Sequence, residues 1–290
     1  MIDPHRIILG SAQFGLPYGV ASRKNQVSLE VAEEIIKLAH KRGITKLDTS
    51  PLYGSSEEVL GMIGIQDWKV ITKIDIDKKS QVSIYNQVHI SLEQSRSRLR
   101  VAKHYAALVH YPYLLNKDHL SQISEAFQDA KNLGLLSKIG FSIYEPKEIE
   151  NYIDLRPDII QAPMNVFDQS LIQTGWFDKL TAMGIEVHAR SVLLQGLLTM
   201  EKNELSPFFD KFSHRFEKLE KMVKDSNTSR LQLLLGHLFN NPKLHNIIIG
   251  IHKANQLSEI LDLDVSNLKP EDIYDLAATE AELKYPYNWV

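Results

Sequence analysis

The chain has 290 residues, 43% of them apolar, and its 33 basic and 36 acidic residues leave a net charge of −3, which gives no electrostatic footprint for nucleic acid or an anionic membrane. Without a cysteine it has no disulfide, thiol nucleophile or thiolate metal site. No run approaches the ~20 apolar residues of a membrane span, and the opening Met1-Ile-Asp-Pro-His-Arg6 is not a signal peptide, so a soluble cytoplasmic protein is expected.

Apolar, β-branched runs alternate with helical patterns from end to end, the pattern of β/α units around a parallel sheet. In chain order, strands are expected near Arg6–Ser11, Thr45–Asp48, Lys69–Ile74, Tyr105–His110, Ser137–Phe141, Ile159–Gln161, Glu186–Arg190 and Asn246–Gly250. Eight such units fit an α/β barrel, commonly roughly 250 residues long, and no linker or composition shift divides the chain, so residues 1–290 read as one domain. Between the first two strands Ala32, Ile35, Ile36 and Ala39 mark one helical face, and Gly43 follows as its cap. Ser55 with Glu58, and Ser229 with Gln232, have the spacing of capping boxes. Glu201–Asp225 reads as a charged helical insertion after the seventh strand. Lys269–Val290, with Tyr285, Tyr287 and Trp289, reads as a tail folding over the barrel.

Three successive strand ends deliver polar groups: Asp48 and Tyr53 after the second, Lys73 ending the third and His110 ending the fourth. A phenol is a poor acid near neutrality, with an ordinary pKa of about 10. An adjacent cation lowers it. Lys73, held by Asp48, is expected to supply that charge to Tyr53, and His110 to orient a carbonyl oxygen. Each residue alone has an ordinary structural reading as a cap, a solvated lysine, a packing tyrosine or a core histidine. On three adjacent strand ends, where barrels carry their chemistry, the four together read as a proton-donating site.

Other motifs fall away. Gly10 and Gly15 have P-loop spacing, but Leu16-Pro17 stands where Lys-Ser/Thr is needed. The chain has no G-x-G-x-x-G, no H-E-x-x-H or H-x-H pair and no G-x-S-x-G elbow, so a separate dinucleotide domain, a metal site and serine hydrolase chemistry lack support.

The Asp48-x4-Tyr53-Gly54 spacing, the following helix with Glu58 and Gly61, Lys73 and His110 resemble the aldo-keto reductase superfamily nearly end to end. That resemblance implies a (β/α)8 barrel that reduces aldehydes and ketones with NADP(H) or NAD(H), without metal or flavin, using Asp48, Tyr53, Lys73 and His110 as its tetrad. It implies that Asp48, Ser142 and Gln161 hold the nicotinamide ribose and carboxamide, and Glu259 the adenine. Gly10, Ser11, Arg190, Ser191, Leu193, Gly250, Lys253 and Gln256 complete the implied cofactor site, with Gly196-Leu-Leu-Thr199 after strand seven a further match. The chain departs from the family at several points. Ile143 stands where Asn usually follows the strand-five Ser, Gln256 where an Arg often grips a 2′-phosphate, and Ile260 where an Asn meets the adenine; Lys253 is the substitute cation. The amino-terminal hairpin of many members is short or missing. Arg190 replaces an aromatic residue stacked on the nicotinamide. Its charge either biases the site toward the reduced cofactor, or grips an anionic substrate, or pairs structurally with Glu186.

The expected activity is NAD(P)H-dependent reduction of a small carbonyl substrate, such as a sugar derivative. A Lys73-dependent lyase or aldolase and a cofactor-binding regulatory subunit remain alternatives. Tyr18, Tyr111, Tyr113 and Trp289 are candidate pocket walls; the substrate, the cofactor preference and the oligomeric state stay open.

Overall fold

A computed structural model describes residues 2–21 and 25–289 of the chain, so the last residue of the tail, Val290, lies outside the described residues. Eight parallel strands close into a barrel: β1 (Ile7–Gly10), β2 (Lys46–Asp48), β3 (Lys69–Ile74), β4 (His104–Val109), β5 (Leu136–Ser142), β6 (Ile159–Pro163), β7 (Glu186–Arg190) and β8 (Asn246–Gly250). Each strand pairs with the next, and β8 returns to β1. The helices are α1 (Ala12–Gly15), α2 (Leu29–Lys41), α3 (Ser56–Ile63), α4 (Ile84–Leu99), α5 (Lys117–Asn132), α6 (Ser170–Gln173), α7 (Trp176–Ala182), α8 (Ser213–Asp225), α9 (Arg230–Phe239), α10 (Ala254–Leu261) and α11 (Ala281–Lys284). None is long and apolar enough to cross a membrane.

Strand alternation sorts the side chains into layers. Ile8, Ile71, Ala106, Leu108, Ile159 and Ile248 form an apolar layer of their own inside the barrel. Their neighbours Ile7, Leu9, Val70, Ala107, Ile247 and Ile249 join the larger core that the helices cover. Helix α2 shows why the covering elements form. Ser28 Oγ caps the amide of Val31, Ala32, Ile35, Ile36 and Ala39 are buried, and the chain leaves through Gly43 at φ +90°. Losing such a cap costs about 1 kcal/mol.

The inward parity continues to both ends of the barrel. At the floor, Lys46 Nζ donates to Asn246 Oδ1 at 2.6 Å, Lys138 pairs with Glu186, and His188 Nε2 lies 3.2 Å from Glu186 Oε2. At the mouth the same alternation aims Asp48, Lys73, Gln161 and Arg190 into one space.

Two local expectations fail. Ser55 sits at φ −86°, ψ 14° and makes no side-chain cap; a capping side chain needs extended backbone at that position. Glu58 is exposed, so no capping box opens α3. Ser229, at φ −71°, ψ 155°, has the extended backbone, and its box with Gln232 forms. The β5–β6 connection also forms no α-helix and instead uses 3-10 turns over Pro146–Asn151 and Ile153–Leu155.

The insertion after β7 ends in α8 and packs with the tail. Phe209, Phe212, Phe216 and Leu219 meet Leu233 and Leu234 of α9 and Leu268, Ile273, Leu276 and Leu283 in a second apolar cluster. Arg215 fastens the two segments through Glu280 at 2.9 Å.

Buried histidines give this fold an acid limit. Desolvation lowers both His104 and His237 to about 4; the Arg96 charge adds to it for His104, and the Leu233 carbonyl opposes it for His237. The unfolded chain takes up these protons near its ordinary value of 6.5, whereas the folded chain holds out until about 4. Stability is therefore complete above pH 6.5 and falls as pH drops toward 4. Calorimetry should show Tm falling across that window, and the fall should be shallower in the His104→Gln/His237→Gln double variant.

Candidate active site

A cavity of about 1240 Å³ opens at the carboxyl ends of the strands and takes in Asp48, Tyr53, Lys73 and His110 together. It also takes in every residue expected at the cofactor: Gly10, Ser11, Ser142, Gln161, Arg190, Ser191, Leu193, Gly250, Lys253, Gln256 and Glu259. Ligand cavities commonly span about 300–1,000 Å³, so this one is larger than most.

At its base Lys73 Nζ lies 2.5 Å from Asp48 Oδ1 and donates to the Thr49 carbonyl at 3.1 Å. Asp48 Oδ2 accepts from Gln161 Nε2 at 2.8 Å. Lys73 and Asp48 are 1% and 3% exposed, so neither charge has water as an alternative partner. Sheet register makes the pair: Asp48 stands beside Ile71, and Lys73 follows two residues later on the same face.

The Lys73 ammonium sits 5.0 Å from the centre of the Tyr53 ring. The phenol nonetheless lies well above the ordinary tyrosine value, first through desolvation and then through the Asp48 carboxylate, with the Arg190 charge opposing. The expected lowering by Lys73 is therefore not the result. Asp48 absorbs the lysine's charge, and Tyr53 stays a loaded phenol. His110 is held down at about 2, by desolvation first and then by the Lys73 and Arg190 charges, so its ring is neutral. Its Nδ1 lies 3.2 Å from Ser50 Oγ, and its face stacks on Tyr111 at 4.3 Å.

Two features hold Tyr53 in place. A Cβ on Gly15 would lie 1.9 Å from the Tyr53 carbonyl, and one on Gly54, at φ +55°, would lie 2.2 Å from the Gly15 carbonyl. The two backbones touch because neither residue has a side chain. The second feature is Glu57, which accepts from Thr72 Oγ1 at 2.8 Å, Ser95 Oγ at 2.7 Å and Arg98 Nε at 2.8 Å. It clamps the start of α3 to the residue before Lys73, so the buried carboxylate of this helix is Glu57 and not Glu58.

Arg190 does not pair with Glu186. At about 3.3 Å per residue, four residues of strand separate their Cα atoms by about 13 Å, and Glu186 is engaged by Lys138 and His188 at the floor. Arg190 instead reaches across the mouth. Nη2 donates to the Ile143 carbonyl at 2.7 Å, Nη1 to Ser191 Oγ at 3.2 Å, and Cζ lies 4.5 Å from the Tyr144 ring centre.

At the other end of the cavity the loop after β1 bridges its rim. Val20 N donates to the Gln195 carbonyl at 3.0 Å, and His252 Nε2 lies 3.0 Å from the Tyr18 carbonyl. Gln256 Oε1 accepts from the amides of His252 and Lys253 and so caps α10. The Ser11 hydroxyl donates to the Asp48 carbonyl at 2.9 Å and accepts from Ser56. Of the expected walls, Tyr18 and Tyr111 line the cavity. Tyr113 packs edge-on against Tyr111 and Tyr144, and Trp289 against Phe209. Tyr144 and Tyr287 line it without having been named as walls; the available signals were a position two residues after the strand-end Ser142 for Tyr144, and a place in the tail expected over the barrel for Tyr287.

The Aldo/keto reductase family profile matches residues 6–281. Aldo-keto reductase YhdN of Bacillus subtilis (strain 168) is 25% identical, with 95% of this chain and 89% of that one covered. The L-glyceraldehyde 3-phosphate reductase of Escherichia coli (strain K12) is 23% identical, covering 80% and 78%. Among solved structures, the holo form of aldo-keto reductase AKR11C1 from Bacillus halodurans superposes with a TM-score of 0.76 at 17% identity, covering 98% and 94%. The glycerol dehydrogenase AKR11B4 from Gluconobacter oxydans gives 0.73 at 22% identity, covering 93% and 90%. The two structures establish a shared barrel.

The Gly15–Gly54 contact has a direct consequence for the site. Gly15→Ala should push the Tyr53 loop off the barrel mouth and cut turnover at least tenfold, measured as kcat on any accepted substrate. Unchanged kcat would show that the loop tolerates the displacement.

Proposed function

The chain belongs to the aldo/keto reductase family of oxidoreductases, and on that premise we propose that it reduces an aldehyde or ketone to an alcohol with NADPH or NADH, Tyr53 donating the proton. The observation that carries the reading is the buried Lys73–Asp48 pair beside the Tyr53 ring, at the base of a cavity large enough for cofactor and substrate.

The residues present fit a nicotinamide cofactor. The Ser142 hydroxyl and the Gln161 side-chain oxygen Oε1 are polar groups at adjacent strand ends, the two residues paired in register. Gly10 and Gly250, also paired in register, leave the β1–β8 edge clear of side chains. Lys253 with the amides opening α10 offers positive charge at the far end, and Glu259 lines the same end. When bound, the cofactor supplies a hydride to the carbonyl carbon.

The protein's own groups do the rest. The Tyr53 phenol, kept protonated, gives its proton to the carbonyl oxygen as negative charge develops there. Lys73 sits where its charge stabilises the resulting phenolate, and Asp48 with Gln161 fixes Lys73 so that it need not reorganise. The neutral His110 ring donates a hydrogen bond to the same oxygen and sets its direction. Engagement of Lys73 by Asp48 and Thr49 supports this reading over a Schiff-base role, which needs a free, unprotonated amine. A polyhydroxylated carbonyl compound is the proposed substrate, supported by the relatives named for glyceraldehyde 3-phosphate and glycerol.

Tyr53→Phe should lower kcat by at least about 100-fold, the scale of one general acid, while NADPH still binds with wild-type affinity by fluorescence titration. Turnover near the wild-type rate in that variant would remove Tyr53 from the proton-donor role.

A further inference from the structure

Around Tyr53 the cavity holds two side-chain cations, Lys73 and Arg190, and one carboxylate, Asp48. Asp48 belongs to Lys73 at 2.5 Å. Among the described residues no carboxylate forms an ion pair with Arg190. Glu186, on the same strand and face, is engaged at the barrel floor. Glu148, whose charge Arg190 reaches, forms no ion pair with it: one carboxylate oxygen accepts from the amides of Tyr144 and Glu145 at 3.1 and 2.7 Å, and the other is buried without a hydrogen bond. One positive charge is left over in a half-closed cavity, where it is screened far less than on the surface.

The guanidinium is also held in a fixed pose. The Ile143 carbonyl, Ser191 Oγ and the Tyr144 ring locate it from three sides without neutralising it. These contacts take one N–H from each terminal nitrogen, and Nε is enclosed without a partner. A guanidinium has five N–H groups, so each terminal nitrogen keeps one N–H that a carboxylate or phosphate can accept from. A lysine or a flexible arginine would lose more entropy in reaching the same geometry.

We propose that Arg190, braced by Tyr144 and Ile143, is a specificity-determining residue that binds a carboxylate or phosphate group of the carbonyl substrate, so that the protein selects acidic aldehydes and ketones over their neutral counterparts. This rests on the carbonyl-reductase reading and narrows it to anionic substrates. The group's second role is steric. Seated on Arg190 beside Tyr144, an anion would fix the substrate's far end and leave its carbonyl to Tyr53 and His110.

The test uses matched pairs: succinic semialdehyde against butanal for carboxylate, and glycolaldehyde phosphate against glycolaldehyde for phosphate. Wild type should favour the charged member of at least one pair by about 30- to 100-fold in kcat/KM, the scale of a charge-assisted hydrogen bond. That ratio should collapse to about one in Arg190→Met and be partly kept in Arg190→Lys, which retains charge without the fork. Taking the ratio within each variant cancels any loss common to both members. A wild type indifferent to charge, or a ratio unmoved in Arg190→Met, overturns the proposal. So does an unmoved ratio accompanied by a tenfold change in NADPH affinity, which would give the guanidinium to the cofactor. Calorimetric titration of full-length protein with oxamate needs no turnover. Saturable binding abolished by Arg190→Met supports the anion site even if no carbonyl is reduced, in which case the reductase reading fails alone. Oxamate binding identical in wild type and Arg190→Met overturns the anion site while leaving the reductase reading intact.

Discussion

An ammonium and a carboxylate enclosed together, Lys73 and Asp48, are the constraint on which the mouth of the barrel depends. Each would be intolerable alone: stranding one member of a buried pair costs about 3–5 kcal/mol. Adjacent strands in fixed register bring them together, and Gln161 and Thr49 each add a further hydrogen bond to the pair. The pair therefore acts as a rigid electrostatic base. The Tyr53 loop is then set over it by backbone contact at Gly15 and by the Glu57 clamp to β3.

How charge is divided along the barrel follows from the same strand geometry. The floor holds Lys46, Lys138, Glu186, His188 and Asn246, which pair with one another. The middle is an apolar layer that separates floor from mouth. Glu186 cannot reach across it to Arg190. The mouth is left with an internally neutral Lys73–Asp48 pair and an Arg190 whose charge is not cancelled. A neutral His110 and a protonated Tyr53 are consequences of that environment: desolvation and then the Lys73 and Arg190 charges oppose an imidazolium, and desolvation and then the Asp48 carboxylate oppose a phenolate.

Much of this was readable from the sequence because period-two strands determine which side chains share the interior. The spans Lys69–Ile74, Glu186–Arg190 and Asn246–Gly250 coincide with β3, β7 and β8, and the alternation within them carries Lys73, Arg190 and Gly250 to the mouth. The spacing of Asp48 and Tyr53 identified the loop that the structure places beside Lys73 and His110. What stayed hidden depends on contacts between distant segments. Glu57, Thr72, Ser95 and Arg98 meet only because α3, β3 and α4 pack together, and nothing in their spacing announces it. The false capping box at Ser55 failed on a backbone angle, which a residue pattern does not encode. The Glu186–Arg190 pairing failed because sharing a face along a strand is not the same as being within reach. The anticipated effect of Lys73 on Tyr53 failed because burial raises the phenol first, and the Asp48 carboxylate that holds Lys73 raises it further.

The most direct test of the account is a fluorescence titration of the purified chain with NADPH and with NADH, followed by addition of a polyhydroxylated aldehyde to the complex. The account predicts saturable binding of at least one reduced cofactor and aldehyde-dependent loss of its nicotinamide absorbance. Failure of both cofactors to bind, or a bound cofactor that no aldehyde or ketone consumes, would contradict it.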